Sequence, residues 1–397
     1  FFKQKTAYEI RLSLVGSEMC IRDREVIVGD APLQGCDFDL LVNSTGLQKV
    51  VDKHRRQGMK IELIDFRRSV ASGTNGSAGF RQKVGQRGED RFVLFDMGEE
   101  SLLETVGDSR NPFRVTMYDP RRLEQTHAEG RHQYLVAREV IEADVVINLP
   151  KLKTHMKAGL TGALKNLVGI NGNKDYLPHH RKGGSLQGGD CYEGYSIWKH
   201  LAEEVFDWVN KRPGSRVYSA GYELGSQLLR VARKTVGDGY LEGAWHGNKT
   251  VWKMCLDLQR ILHYGTTSGV LSERRQRGVF HISDAIVGGD REGPLRPSPV
   301  ASGFLTGGSN PVAVEWVNAL AMGWNPARVP LIREAFGQFR YPLTNFEAGQ
   351  IEVCGDASGL IDVGPRPGMQ FRASEGWRGK VEAQIGSGVE PMMRANR

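Results

Sequence analysis

The chain is poor in the features that usually announce a function. Its 397 residues include five cysteines and no C-x-x-C pair. The isolated thiols of Cys36, Cys191, Cys255 and Cys354 argue against a built-in iron–sulfur or zinc site and against a disulfide framework. They read as ordinary thiols in a reducing compartment, so the expected location is the cytoplasm, unless an export signal preceded the residues given. No apolar run approaches the roughly 20 residues of a membrane helix, so no membrane partner is expected. The spacings G-x-x-x-x-G-K-[ST], G-x-S-x-G, H-E-x-x-H and G-x-G-x-x-G are all absent, which removes positive support for ordinary NTP hydrolysis, serine hydrolysis, zincin chemistry and dinucleotide binding. Internal repeats and low-complexity tracts are lacking as well.

Strong charge is also missing. Lys and Arg number 53 against 46 Asp and Glu, a formal net charge of +7. Part of that excess lies in residues 1–24, which are not expected to be native. Their one apolar run, Leu12–Val15, is too short for a signal peptide, and Glu9, Glu18 and Asp23 do not suit a transit peptide. Written back into codons, Phe2–Ile10 and Leu14–Arg24 resemble two sequencing adaptors separated by an index-length spacer. A native N-terminal part is therefore expected to be missing. Without this stretch the chain is only mildly basic, which suits a small anionic ligand better than a nucleic acid.

What is present points to an α/β fold: a mostly parallel sheet with flanking helices and a helical insertion. Strand-length apolar runs recur at 25–30, 61–66, 91–96, 113–119 and 143–150, several ending in Asp, in the manner of buried parallel strands. Between the first two lies a helical pattern stopped by Gly58, giving a strand–helix–strand unit. The expected organisation is an α/β domain over 25–195, a helical insertion over 196–272, the continuation of the α/β domain over 273–365, and a C-terminal extension over 366–397 whose last dozen residues fray. Ile197, Leu201, Val205 and Val209 recur at helical spacing in the insertion, as do Val251, Cys255, Leu258 and Leu262. Residues 278–289 resume strand character, and Pro311 opens a helix in its first turn.

The chemistry concentrates in residues 148–190, which leave the carboxyl end of a strand, where open α/β sheets place their ligands. Residues 151–182 hold seven basic residues and one acid, Asp175, together with His155, His179 and His180. The stretch 161–169 reads as a short helix with Thr161 as N-cap and Lys165 one turn on, so that free amides and a lysine would share an anion. The expected anion-binding set is Lys151, Lys153, Thr161, Asn166, Lys174, His179 and His180. His155 is the expected general acid/base and Lys165 its catalytic companion, since a histidine titrates near neutrality. A glycine-laden loop follows. A second Gly-rich loop, 283–297, would offer Asp284 and Asp290 to a divalent cation, although turn chemistry explains the same residues equally well. His246, Asn248 and Lys249 read mainly as a helix cap.

The stretch 143–180, with its P-K-L-K-T-H and T-G-A-L-K-N elements, resembles the defining block of the family catalogued as domain of unknown function 362. Residues 28–41, 247–262, 283–295 and 310–323 resemble its flanking blocks. Some family members carry a ferredoxin-like module or a twin-arginine export signal. This chain has no clustered cysteines, so the resemblance implies no iron–sulfur cluster here. It shows Glu315 where the family commonly has Asp, and it lacks the strand and Asn-containing loop with which the family begins. The combined expectation is an enzyme acting on a phosphorylated or carboxylated small molecule with metal assistance, its cofactor otherwise unknown. The alternatives are a non-catalytic anion or acidic-polymer binder, or a redox partner of a separate iron–sulfur protein.

Overall fold

The computed structural model describes residues 25–72, 81–84, 87–115, 118–212, 215, 217–355 and 370–383. The adaptor reading of residues 1–24 and the fraying of the last dozen residues lie outside them. The first unit pairs β1 (Glu25–Asp30) with β2 (Lys60–Asp65) in parallel, from Glu25 opposite Lys60 to Asp30 opposite Asp65. Helices α1 (Phe38–Ser44) and α2 (Leu47–Arg56) connect them. The Asp37 carboxylate starts α1 by accepting from the Leu40 amide at 2.9 Å. Just past α2, Gly58 takes a positive φ of 86°, the left-handed conformation that favours glycine and stops the helix as the pattern predicts.

The expectation of a mostly parallel sheet is not met. β3 (Phe92–Asp96) pairs antiparallel with β4 (Arg131–Ala137). Among the described residues of the 113–119 run, the strand is Phe113–Arg114. In the six-stranded main sheet, β5 (Val145–Asn148) and β6 (Lys151–His155) run parallel to the 15-residue β8 (Gly278–Glu292). β7 (Gly159–Thr161) pairs antiparallel with β6, while β9 (Arg296–Val300) and β10 (Phe304–Gly308) pair antiparallel with β8. The reason is connection length. Parallel neighbours need a crossover of a dozen or more residues, whereas turns of three residues join β6 to β7, β8 to β9 and β9 to β10.

The long β8 also corrects the second candidate loop. Residues 283–292 are strand, and Asp284 and Asp290 stand six residues apart on it, about 20 Å by strand rise. Asp284 instead pairs with Lys151 at 2.7 Å, and Asp290 with Arg372 at 2.8 Å. The two carboxylates therefore do not converge on one cation.

Three longer helices complete the α part. α3 (Ile197–Asn210) and α4 (Tyr218–Val236) form a hairpin, whereas α5 (Val251–Tyr264) is buried along its whole length in the main core. The apolar stripe on α3 does not face inward along its length: Ile197 and Leu201 are exposed, while Lys199, Glu203, Asp207 and Asn210 are buried with Val209. Here ion pairs override the apolar pattern, since the Lys199 ammonium meets Asp238, and Arg114 reaches Asp207. α6 (Pro311–Ala321) begins with Pro311 in its first turn, as expected, capped by Asn310. Phe371, Ala373, Trp377 and Val381 of the C-terminal segment are buried in the same core.

Candidate functional site

The turn after β7 is held by side chains from two buried helices. The Glu315 carboxylate of α6 accepts from the amides of Ala163 at 2.8 Å and Leu164 at 3.2 Å, and from Asn318 Nδ2 at 3.1 Å. Gln259 of α5 donates to the carbonyls of Ala163 at 3.0 Å and Leu164 at 2.9 Å, and Asn148 donates to Ala163 at 2.8 Å. A side chain at residue 162 would overlap the Glu315 carboxylate, which is why glycine stands there. The anion that the exposed amides of this stretch suggested is thus the protein's own Glu315. Thr161 caps nothing: it belongs to β7, and the helical part is a 3-10 segment, Lys165–Ile170. The closely spaced glycine and the grip of Glu315 keep the chain from entering a helix at Thr161.

What the locked turn presents is Lys165. Its ammonium has no hydrogen bond or ion pair among the described residues, and burial lowers its pKa. Around it stand Lys153, Lys157, Lys174, His155 and His179. Lys153 is brought down to about 8 by burial first and then by the Lys165 charge. Lys174 also falls to about 8 through burial, although Asp30 pulls it upward. Its Nζ lies 3.5 Å from the Ala31 carbonyl. Lys157 is lowered by burial and pairs with Glu242 at 3.9 Å. His155 and His179 both sit well below the ordinary histidine value because they are buried among these lysines.

Local hydrogen bonds set the two imidazole tautomers. His155 Nδ1 accepts from the amides of Lys157 at 3.1 Å and Ala158 at 3.2 Å, so the proton of the neutral ring sits on Nε2. His179 Nδ1 lies 2.7 Å from the Leu177 carbonyl, to which it donates, leaving its Nε2 as an acceptor. The site therefore pairs a neutral donor with a neutral acceptor. The expectation that His155 titrates near neutrality gives way to burial, which holds its pKa well below the ordinary value.

Of the residues singled out from the sequence, Lys153, His155, Lys165, Lys174 and His179 come together. Lys151 does not; it forms the half-exposed pair with Asp284. Thr161 is buried with its hydroxyl unpartnered among the described residues. Asn166 donates to Asn148 at 2.7 Å, within a network that reaches His281. His180 turns toward Cys191 and Glu203. Lys157 and Asp30 are additions. Lys157 could have been found in the same basic stretch. Asp30 carried only the weaker signal of an acid at the end of a strand. Asn248 accepts from the Val251 amide at 3.0 Å at the start of α5, the capping role expected of it.

With this geometry in place, the comparison with known families becomes informative. Residues 108–319 match the family described as a domain of unknown function (DUF362). The chain belongs to the DUF362 family. The DUF362 match spans the locked turn, its Glu315 clamp and every member of the lysine centre except Asp30. No curated protein and no solved structure matches the chain. Among the described residues, no helix is long and apolar enough to cross a membrane. A surface cleft of about 420 Å³, lined by Asn111, Arg114, Lys182, His200 and Glu204 among others, shares no residue with the lysine centre.

Proposed function

We propose that this DUF362 protein binds a small phosphorylated or carboxylated molecule at Lys153, Lys157, Lys165 and Lys174 and acts on it through His155 and His179. One observation carries the reading: three desolvated lysines, Lys153, Lys157 and Lys174, gather around Lys165, which has no partner among the described residues, with Asp30 and Glu242 as nearby acids. An uncompensated buried ion costs several kcal/mol, so such a group is retained where a ligand charge completes it. The excess of positive charge suits a dianion. A small molecule fits better than an acidic polymer, because a polymer would need these ammonium groups on an exposed face.

A bound dianion would restore the lysines to their charged form and raise the two imidazoles toward neutrality, where they transfer protons efficiently. His155 Nε2–H would then donate to the substrate while His179 Nε2 accepts from it. The test is thermal unfolding of the intact protein with inorganic phosphate, sulfate and citrate. The wild type is expected to be stabilised in a saturable way, and Lys165→Ala to lose that stabilisation. Equal stabilisation of both proteins would reject the reading.

A further inference from the structure

A second buried cluster sits beside the lysine centre and is unused by it. We propose that His180, Cys191 and Glu203 form a site for a divalent transition metal of the zinc type. One donor atom from each lies within 4.8 Å of the others, and the residues are only 4 %, 0 % and 4 % exposed. Donor atoms of a tetrahedral zinc site stand about 3.3–3.8 Å apart, given metal–ligand bonds of about 2.0–2.3 Å. A small side-chain adjustment of about 1 Å closes that gap.

Hydrogen bonds from the surroundings hold two of the three donors in place. Both carboxylate oxygens of Glu203 accept from the Gly183 amide, at 3.0 and 3.1 Å, and Cys191 Sγ accepts from the Glu242 amide at 3.2 Å. These donors orient the two ligands that would carry negative charge, as outer contacts do in metal sites. His180 Nδ1 is the opposite case: it is buried and has no hydrogen-bond partner among the described residues. A buried, unsatisfied imidazole nitrogen beside a thiol and a carboxylate is what a metal would complete. A thiolate and a carboxylate balance one divalent charge, leaving a neutral centre in a buried setting. Mixed nitrogen, sulfur and oxygen donors suit zinc, and three protein ligands leave a fourth position for water or substrate. Lys157 is one neighbouring cation, and its pairing with Glu242 offsets its repulsion; Arg114 and Lys182 stand nearby as well.

The test is a titration of the chelator-treated full chain with Co²⁺, followed by displacement with Zn²⁺. One equivalent is expected to bind, with a thiolate-to-cobalt charge-transfer band that Zn²⁺ removes. Cys191→Ser should abolish the band, and Glu203→Gln should weaken binding at least about tenfold while the band survives. Should Cys191→Ser fail to fold, a chain with Cys20, Cys36 and Cys354 all changed to serine must keep the band. Absence of saturable binding, a wild-type spectrum without the thiolate band, a folded Cys191→Ser that retains it, or unchanged affinity in Glu203→Gln would each overturn the proposal. None of these readouts uses an anion, so the site and the lysine centre stand or fall separately.

Discussion

Two buried polar centres on α5 and its neighbours are built to opposite rules. Asp257 is fully buried and meets four donors: Ser101 Oγ at 2.5 Å, the Leu102 amide at 3.1 Å, Tyr134 OH at 2.9 Å and Arg260 at 2.9 Å. Glu315 is held in the same manner by the turn at Ala163–Leu164 and by Asn318. The lysine centre inverts this arrangement, for positive charge outnumbers negative there and Lys165 has no partner among the described residues. A satisfied network fixes a fold, whereas an excess of one charge gains stability from an added counter-charge. The carboxylates hold the turn, and the turn holds out Lys165.

The largest expected effect falls on the satisfied centre. Asp257→Ala removes the buried acceptor that Ser101, Tyr134 and Arg260 share, and should cost about 3–5 kcal/mol in denaturant unfolding. A loss below about 1 kcal/mol would mean that the network is less cooperative than its geometry implies. The matching change in the other centre has the opposite sign. Lys165→Met removes a desolvated charge without orphaning a partner, and should raise the stability of the ligand-free protein by about 1–2 kcal/mol. Stability in the absence of anion separates this outcome from simple loss of a ligand contact.

The two centres should also answer pH in opposite directions. Glu315 is raised to about 7 by burial, which outweighs its hydrogen bonds. Its contribution to stability is complete below its ordinary value of 4.5 and is lost as pH rises through about 7. Lys153 and Lys174, lowered to about 8, contribute fully above 10.5 and lose that contribution as pH falls through about 8. Glu315→Gln should flatten the first limb, and Lys165→Met should shift the second. Because a bound dianion demands charged lysines, phosphate affinity should fall by up to about tenfold per pH unit per lysine above pH 8. Calorimetry in buffers of different protonation enthalpy would show the accompanying proton uptake; its absence would mean that the lysines are already charged.

The contrast also explains what was legible in the sequence. The basic stretch, the P-K-L-K-T-H strand and the Gly58 and Pro311 signals are local, and the structure keeps them as strand, stop and helix start. The T-G-A-L-K-N stretch was misread as a helix because the force that shapes it comes from residue 315, about 150 positions away. Periodicity failed on α3 for a similar reason: Lys199 and Asp207 are drawn inward by opposite charges and Glu203 by the Gly183 amide, none of which a local pattern reveals. The His180–Cys191–Glu203 cluster was equally hidden, since its members are spaced unlike any short metal motif.

The smallest expected effect sharpens the boundary of the lysine centre. Lys151 and Lys153 are two residues apart on one strand, yet their surroundings differ. The Lys151 side chain is 49 % exposed and that of its partner Asp284 is 44 % exposed. Exposed pairs of this kind contribute about 0.2–1 kcal/mol, because water screens them and two flexible side chains must be ordered. Lys151→Ala should therefore change unfolding free energy by less than about 1 kcal/mol. Phosphate-dependent stabilisation should survive, since Lys151 reaches the centre only as a secondary influence on Lys153. Removing that like charge should let the Lys153 pKa rise slightly, so phosphate binding should hold to a marginally higher pH than in the wild type. A Lys151→Ala protein that lost phosphate binding outright would instead place the anion at the mouth of the sheet, on the Lys151–Asp284 side, and would remove the reason for treating the unpaired Lys165 as its centre.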